Sequence, residues 1–430
     1  MAPDMNELLM QREHPLRRAL IDELHVRRFP SFTSPARMTQ LIMYHGNDDA
    51  RDNEREHAQA LCAQYGVTPP RKGRYFCVRL NELHLVWESH TEFTTWSFIK
   101  AGPFEHPFER PVLSELPLAW IAALGGQVIR ATQVAVLPRN VRPEPAVLSS
   151  LFNIEEVVCC DVLEARARVW SNFQVHSDGF GRLLIEDRDL ASGGETARLV
   201  QRLQELGNYR NMALLGLPVA QSLVGELSTM EATLAALTHE TAQGSANDDQ
   251  LFNSLSGLSA ELGRLVASTR YRMSATSAYA QLAADRLRDL RPREVPGYQT
   301  LTDFTERRLT PAVRTCQSFS KRLDDLSQRA ALSSSLIRTR IETTLARQSR
   351  DLLESMNQRT KLQVRLQQTV EGLSVLAISY YALGILGYIG KAVDHVWPLN
   401  LSIDLGIAAP VVVAIVWYSV RALRKSWDAR

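Results

Sequence analysis

The longest apolar runs of the chain lie near its C-terminus. Val370–Ile389 reads VEGLSVLAISYYALGILGYI, and no residue between Glu371 and Lys391 carries a formal charge. As a helix, this run of about 19 residues rises about 28 Å, close to the ~30 Å hydrocarbon core of a bilayer. A second uncharged run, Leu405–Val420, follows closely. The pattern therefore predicts a transmembrane hairpin over residues 370–420, with spans at about 372–390 and 403–420.

Basic residues flank both runs on the same side. They are Arg359, Lys361 and Arg365 before the first run, and Arg421, Arg424 and Lys425 after the second. Because Lys and Arg near membrane ends mark the cytoplasmic side, we expect both termini in the cytoplasm, with residues 421–430 as a basic tail. This predicts a multi-pass protein of the inner (plasma) membrane whose basic residues meet anionic lipid headgroups. A buried helical hairpin of a soluble protein is the alternative.

Residues 1–190 show a different pattern, in which short β-type segments are separated by few helical ones. Predicted helices lie within Asn6–Arg28 and over Asp48–Tyr65 and Leu118–Leu124. The predicted strands are Arg37–Tyr44, Tyr75–Leu80, Leu83–Trp87, Phe93–Ile99, Val128–Leu137, Val157–Val169 and Phe180–Ile185. Several strands with few helices between them indicate an α+β domain, which we expect in the cytoplasm.

The composition changes at Ala191–Glu195, and residues 191–369 show no strand pattern. Predicted helices cover Thr196–Glu205 and Pro218–Glu240, and another begins at the N-cap Asn247 and ends near Leu290. A short helix over Leu301–Leu309 precedes Pro311, a residue suited to the first position of a new helix. No proline occurs from there to Ile389, so one helix is expected to run from the cytoplasm into the bilayer.

An apolar stripe follows this last helix. Its positions, spaced by three or four residues, are Leu323, Leu326, Ala330, Ser334, Ile337, Ile341, Leu345, Gln348, Leu352, Met356, Arg359, Gln363, Leu366 and Val370. Such a stripe needs a partner. An antiparallel helix of the same chain, over residues 248–290, is one candidate. The same helix in other subunits is the second, and this predicts a coiled-coil stalk in a homo-oligomer.

Charge and cysteine usage narrow the function classes. The chain of 430 residues has a net charge of +2, which divides into −6 for residues 1–284 and +7 for residues 285–365. The arginines of the basic part are interspersed with acids and lack an aromatic platform, so nucleic-acid binding is not expected. No signal peptide is visible, and the five cysteines form no C-x-x-C pair. Cys159 and Cys160 are expected on opposite faces of a strand as reduced thiols.

Candidate chemistry is sparse. His84, Glu88 and His90 form the densest group of metal-type ligands, although structural or surface roles are the favoured interpretation of them. No P-loop, nucleophile elbow or G-x-G-x-x-G motif is present, so no catalytic residue, cofactor or enzymatic activity is predicted. Residues of the first apolar run are the membrane or pore candidates: Glu371, Ser374, Ser379, Tyr381, Gly384 and Gly387.

Four stretches resemble a bacterial family known only as a domain of unknown function. They are HPLRRALIDELHVR, VWESHTEFTTWSF, QTLTDFTERRLTPAVRTC and LLESMNQRTKLQVRLQQTVEGLSVLAISYYALGILGY. The resemblance implies an uncharacterised membrane-anchored protein with a cytoplasmic body and supplies no catalytic residue. The architecture of residues 311–420 also looks like the CorA-type divalent-cation transporters, which are pentamers with the first span lining the pore. Gly387-Tyr388-Ile389-Gly390 stands where those proteins carry Gly-Met-Asn.

These patterns lead to one main expectation and two alternatives. The main one is a membrane-anchored scaffold or interaction protein that self-associates through its helical stalk and binds a cytoplasmic protein partner. The first alternative is a CorA-like oligomeric cation channel without the Gly-Met-Asn signature. The second is a metal-dependent enzyme in the N-terminal domain.

Overall fold

The computed structural model describes residues 29–46, 50–69, 73–243, 247–393 and 401–427, with short pieces between residues 5 and 21. These form two compact units, Met1–Ala242 with Ser254–Leu332 and Gln243–Asn253 with Ser333–Arg430. Most of the predicted helix within Asn6–Arg28 lies outside the described residues, as do residues 394–400 between the two predicted spans.

One nine-stranded sheet is the centre of the first unit. Its strands are β1 (Ala36–Tyr44), β2 (Tyr75–Leu80), β3 (Leu83–Ser89), β4 (Phe93–Ala101), β5 (Gln127–Val136), β6 (Val158–Val162), β7 (Ala167–Ser171), β8 (Gly181–Asp187) and β9 (Arg293–Glu294). They lie in the order β2-β3-β4-β1-β5-β8-β7-β6-β9. Only the β5–β8 pair is parallel. The expectation of an N-terminal domain built from both helices and strands is confirmed.

Both faces of the sheet are buried, which explains the near-continuous apolar and threonine runs in its strands. Along β1, Met38 and Ile42 join the core on one face, while Leu41 and Met43 join the core on the other. Cys160 and Cys159 likewise lie in separate cores on opposite faces, as the sequence predicts. Burial raises the pKa of each of these two thiols to about 12.

Short helices cover one face of the sheet. They are α1 (Ala50–Gln64), α2 (Leu118–Ala122) and α3 (Pro145–Leu151), with two 3-10 turns at Val112–Glu115 and Ile154–Glu156. Leu61 and Trp120 pack into a core with Trp87 and Trp96 of β3 and β4. Leu148 packs into a second core with Trp170 of β7.

The predicted strand Val157–Val169 is two strands joined by a tight turn, so this prediction is wrong. The turn residues Leu163, Glu164 and Ala165 have φ values of 51°, 64° and 71°. Left-handed backbone usually favours glycine or asparagine, and none of these residues gives that signal. The sequence pattern therefore shows no break between β6 and β7.

The long helices of the chain are α4 (Gly193–Leu214), α5 (Gly216–Gln243), α6 (Asp248–Leu290) and α7 (Leu301–Val393), followed by α8 (Leu401–Trp427). Residues of α4, of the end of α6 and of the start of α7 form the core on the other face of the sheet. The Ser192 hydroxyl caps α4 by accepting from the Glu195 amide at 3.3 Å. The predicted cap of α6 is confirmed, since the Asn247 side chain accepts from the Asp249 amide at 3.1 Å.

Pro311 lies inside α7, so the predicted break after Leu309 is wrong. A proline removes one backbone donor and normally kinks or ends a helix. Here Leu309 and Ala312 are both buried, and the apolar face continues across the proline. Packing of this face against the rest of the unit outweighs the local preference.

Within the first unit, α5, α6 and α7 approach closely. A Cβ atom on Gly216 of α5 would lie 2.2 Å from Thr276 Oγ1 of α6 and 3.3 Å from Cys316 Sγ of α7. Arg322 of α7 donates two bonds to Glu231 of α5, at 3.0 and 2.7 Å. A helical bundle therefore continues from the sheet.

The connection between α6 and α7 returns to the sheet. Glu294 of β9 lies opposite Cys160 of β6, and Gln299 forms an isolated bridge with Val158. The helical region thus contributes a strand to the sheet. Its two residues carry no periodicity that would predict it.

Candidate functional sites

The predicted metal-type residues lie on β3 and just after it. Glu88 Oε2 and His90 Nε2 are 3.6 Å apart, and the His90 ring stacks on Phe93 at 4.2 Å. His84 lies four residues earlier, opposite Arg79 of β2. Burial, together with the charge of Arg79, lowers the pKa of His84. Four strand residues span about 13 Å, which separates His84 from the other pair. The described residues contain no group of three or more His, Cys, Asp or Glu that could hold a metal ion.

Two buried carboxylates lie near the start of β4. His45 Nε2 is 2.6 Å from Glu54 Oε1, with both side chains 3% exposed, and the Thr94 hydroxyl donates to the other oxygen of Glu54. Arg272 of α6 donates to both oxygens of Glu92, at 2.6 and 3.1 Å. This second pair joins α6 to the sheet. Removing one partner of such a buried pair typically costs about 3–5 kcal/mol.

Arg130 of β5 is held by neutral acceptors. Its Nη1 donates to Gln204 Oε1 at 2.6 Å and to Asn208 Oδ1 at 2.8 Å, both on α4, and reaches Gln40 Oε1 of β1 at 3.3 Å. The guanidinium lies against Gly207, where a Cβ atom would be 2.6 Å from Nη2. Gln204, Gly207 and Asn208 share one face of α4 and together form the seat for this side chain.

Arg210, on the same helix, is held by aromatic rings. It is 8% exposed, and its guanidinium carbon lies 4.4 Å from the centroid of Phe173 and 5.2 Å from that of Phe304. The two rings stack on each other at 4.5 Å. Nη1 of Arg210 is buried and has no hydrogen-bond partner among the described residues. Phe173 has a φ of 52°, a conformation that costs a non-glycine residue about 1–3 kcal/mol.

Both arginines keep their charge at neutral pH. Burial, with the charge of Arg210 nearby, lowers the pKa of Arg130 to about 9. Burial, with the charge of Arg308, lowers the pKa of Arg210 to about 10. No carboxylate contributes to either shift in the described part of the chain. Two cations therefore lie in one region without a described counter-charge.

A cavity of about 100 Å³ opens between these arginines. Its apolar wall includes Leu203, Leu206 and Leu301, and its polar lining includes Thr132 and Asn211. Sequence reasoning missed this site because it ended the helix at Glu205. The available signal was the polar series Gln204, Asn208 and Asn211, at helical spacing among apolar residues.

In the second unit, α7 leaves its apolar stripe exposed. Ile337 is fully buried, but Leu345, Leu352, Met356, Leu366 and Val370 are 56%, 63%, 56%, 67% and 60% exposed. Near Ile337, Arg340 pairs with Asp248 at 3.1 Å, and Arg338 lies over Phe252. The partner helix at this position is thus the start of α6. From residue 342 to residue 370 every side chain of the helix is exposed.

The apolar end of α7 follows. Among the described residues, Leu301–Lys391 is one helix with a stretch long and apolar enough to cross a membrane, and only 11% of that stretch is buried. Gly406–Ala422 is a shorter apolar helix. These findings rest on length and composition.

The candidate residues of this segment differ in exposure. Ser374 donates to Val370 O at 2.8 Å, whereas Ser379 is 3% exposed and its hydroxyl has no described partner. Tyr381 and Gly384 are exposed, and Glu371 and Gly387 are half-buried. Arg359, Lys361 and Arg365 are exposed on α7, and Arg421 lies 4.9 Å over the Trp417 ring. The side chains of Arg424 and Lys425 lie outside the described residues.

The class defined by these features is an α/β domain that continues into long helices with an apolar C-terminal segment. A family model described as "Protein of unknown function (DUF3422)" matches residues 12–427, and the chain belongs to this family. No curated protein and no solved structure matches the chain. The resemblance to an uncharacterised family is confirmed, whereas no match supports the likeness to CorA-type transporters.

Proposed function

We propose that the protein is a membrane-anchored scaffold that presents its α/β domain to the cytoplasm and self-associates through α7. One observation carries the anchor: large apolar side chains are exposed over most of the surface of the last part of α7. Leu373, Leu376, Tyr380 and Ile385 are 67%, 70%, 76% and 60% exposed. Burying one such side chain away from water is favourable by about 1.5–3 kcal/mol. Insertion into lipid would bury all of these side chains together.

Less exposed positions within the apolar segments support a pair of spans. Val375, Ser379 and Ala382 follow one face of α7, and Val412, Val416 and Val420 follow one face of α8. Small and β-branched residues on such faces allow helices to approach closely in lipid. The flanking basic residues favour cytoplasmic ends for both spans.

The exposed stripe from Leu345 to Val370 supports self-association. The stripe continues the row of apolar residues that includes Ile337, which packs against α6. The same segment of a second copy of the chain would bury the exposed part of this row. Both faces would then be equivalent, as in a symmetric dimer.

Cell fractionation tests the anchor. We expect the full chain in the membrane pellet after ultracentrifugation, released by detergent and retained through a wash at high salt or alkaline pH. A chain recovered in the detergent-free supernatant would contradict the proposal. Light scattering on the detergent-solubilised chain tests self-association, and a monomer at all concentrations would remove that part.

The cation-channel alternative has less support. Ser374 uses its hydroxyl within its own helix, and Ser379 is buried, so neither presents a free polar group to a pore. Flux of Mg²⁺, Co²⁺ or Zn²⁺ into liposomes carrying the protein would favour this alternative. The metal-dependent enzyme has no supporting observation among the described residues.

A further inference from the structure

Arg130 and Arg210 differ from the arginines of the first unit that pair with a carboxylate. Arg272 pairs with Glu92, Arg286 with Glu205, Arg322 with Glu231, and Arg168 with Asp161. Arg130 instead contacts three neutral amides, and Arg210 contacts two aromatic rings. A cation withdrawn from water without a counter-charge is costly, and two neighbouring ones also repel each other.

The site is built to hold these charges in place. Three acceptors fix Arg130 through a single nitrogen, Nη1, so that its position does not depend on a ligand. The rings of Phe173 and Phe304 hold the guanidinium of Arg210 at 4.4 and 5.2 Å, and its buried Nη1 has no hydrogen-bond partner among the described residues. Between the two lies the cavity of about 100 Å³, large enough for a compact group only.

We propose that this cavity binds a phosphate group, with Arg130 and Arg210 as its counter-charges. Arg130 of β5 and Arg210 of α4 line the cavity, together with the amide side chain of Asn211. A tetrahedral phosphate presents oxygens in several directions and matches donors arranged in this way. The polar Thr132 and apolar Leu203 and Leu301 leave space for only a small remainder of the ligand.

The phosphate belongs either to a small soluble compound or to a lipid headgroup. Thermal unfolding of the full chain distinguishes these sources. In detergent, inorganic phosphate is compared with chloride at equal ionic strength and pH. In nanodiscs, phosphatidylcholine alone is compared with phosphatidylcholine containing phosphatidic acid.

A ligand that binds only the folded state raises the unfolding midpoint, and we expect a rise of at least about 2 °C with inorganic phosphate for a soluble ligand. A rise only with phosphatidic acid assigns the phosphate to a lipid. Arg210→Met should abolish either rise while retaining an apolar stem against Phe173. Arg264→Gln, which removes an exposed arginine paired with Glu226, should respond like the unchanged protein.

Two results would overturn the proposal. One is no rise with either source. The other is an equal rise in the Arg210→Met and Arg264→Gln variants, which would mark the effect as non-specific. Neither result bears on the membrane anchor, whose test is fractionation.

Discussion

Gly216 shows how a single missing side chain permits close helix packing. A Cβ atom there would overlap Thr276, whose side chain is fully buried and branched at Cβ. We expect Gly216→Ala to lower the free energy of unfolding by about 1–3 kcal/mol, the usual cost of overpacking. Chemical denaturation measures this change.

Gly225→Ala is the matched control on the same helix. No atom lies within 4 Å of a Cβ atom at Gly225, so alanine there should stabilise α5 by up to about 1 kcal/mol through its helix propensity. Equal effects of both substitutions would contradict the close approach at Gly216.

The ion pairs of Asp161 make the free energy of unfolding depend on pH. Although burial acts to raise it, the pKa of Asp161 is lowered overall by Arg168, which donates at 2.6 and 3.0 Å, and by Arg188. A carboxyl group with a depressed pKa stabilises the fold above its ordinary pKa of 3.8, and this stabilisation is lost as the pH falls through the lower folded value.

Asp161→Asn should therefore lower the free energy of unfolding by about 1.5–3 kcal/mol at pH 7. The difference from the unchanged protein should shrink as the pH falls below 3.8, because the aspartate then also becomes neutral. Urea denaturation at a series of pH values measures it. A difference that is constant from pH 7 to pH 3 would show that the ion pair is not its cause.

Individual residues were predictable only where local pattern decides their place. Asn247 and the opposite orientation of Cys159 and Cys160 follow from capping and strand alternation. The arginine cavity does not follow from such rules, because Arg130 and Arg210 are about 80 positions apart in the sequence and meet only when β5 packs against α4. Neutral acceptors such as Gln204 and Asn208 also give no charge pattern.

Among the helices and strands, α7 gives the clearest prediction, which concerns self-association. Leu352 and Met356 lie on its exposed stripe, and we expect Leu352→Lys with Met356→Lys to weaken self-association strongly, since lysines at facing positions repel. Light scattering or crosslinking of detergent-solubilised protein measures the change.

Two substitutions on the opposite side of the same segment provide the control. Thr343 and Asn357 are exposed and lie outside the stripe, so Thr343→Lys with Asn357→Lys adds the same two charges and should leave the oligomer intact. Loss of association in both double variants would point to general disruption of the helix rather than to the stripe.

Element boundaries show where sequence patterns lose power. Strands β1 to β5 are predicted to within two residues of their observed ends, because polar turns separate β2, β3 and β4 and short helices with loops separate the others. Pro311 and the left-handed turn at Leu163–Ala165 misled the prediction for opposite reasons. At Pro311, packing of the helix outweighs the helix-breaking preference of proline. At Leu163–Ala165, the turn contains none of the glycine or asparagine residues that usually mark left-handed backbone.

For the whole molecule, the anchor gives the strongest prediction. Leu376 lies within the apolar stretch of α7 and is 70% exposed. Arginine near the centre of a span raises the insertion free energy by about 2.5–3.5 kcal/mol. Leu376→Arg should therefore move part of the protein from the membrane pellet to the soluble or aggregated fraction.

Leu332→Arg is the control at similar exposure, 65%, in the first unit. It adds the same charge outside the apolar stretch and should leave the protein in the pellet. If both variants fractionate like the unchanged protein, the stretch around Leu376 does not lie in lipid.

Strand β9 has a consequence for synthesis and for truncated versions of the chain. The edge of β6 receives its neighbour only after the ribosome has made the three long helices α4, α5 and α6, some 130 residues later. Until then the nascent chain exposes unpaired backbone N–H and C=O groups along the edge of β6, and such an edge promotes aggregation. A fragment cut at residue 190 would keep that edge open permanently, whereas one extending past Gln299 would close it.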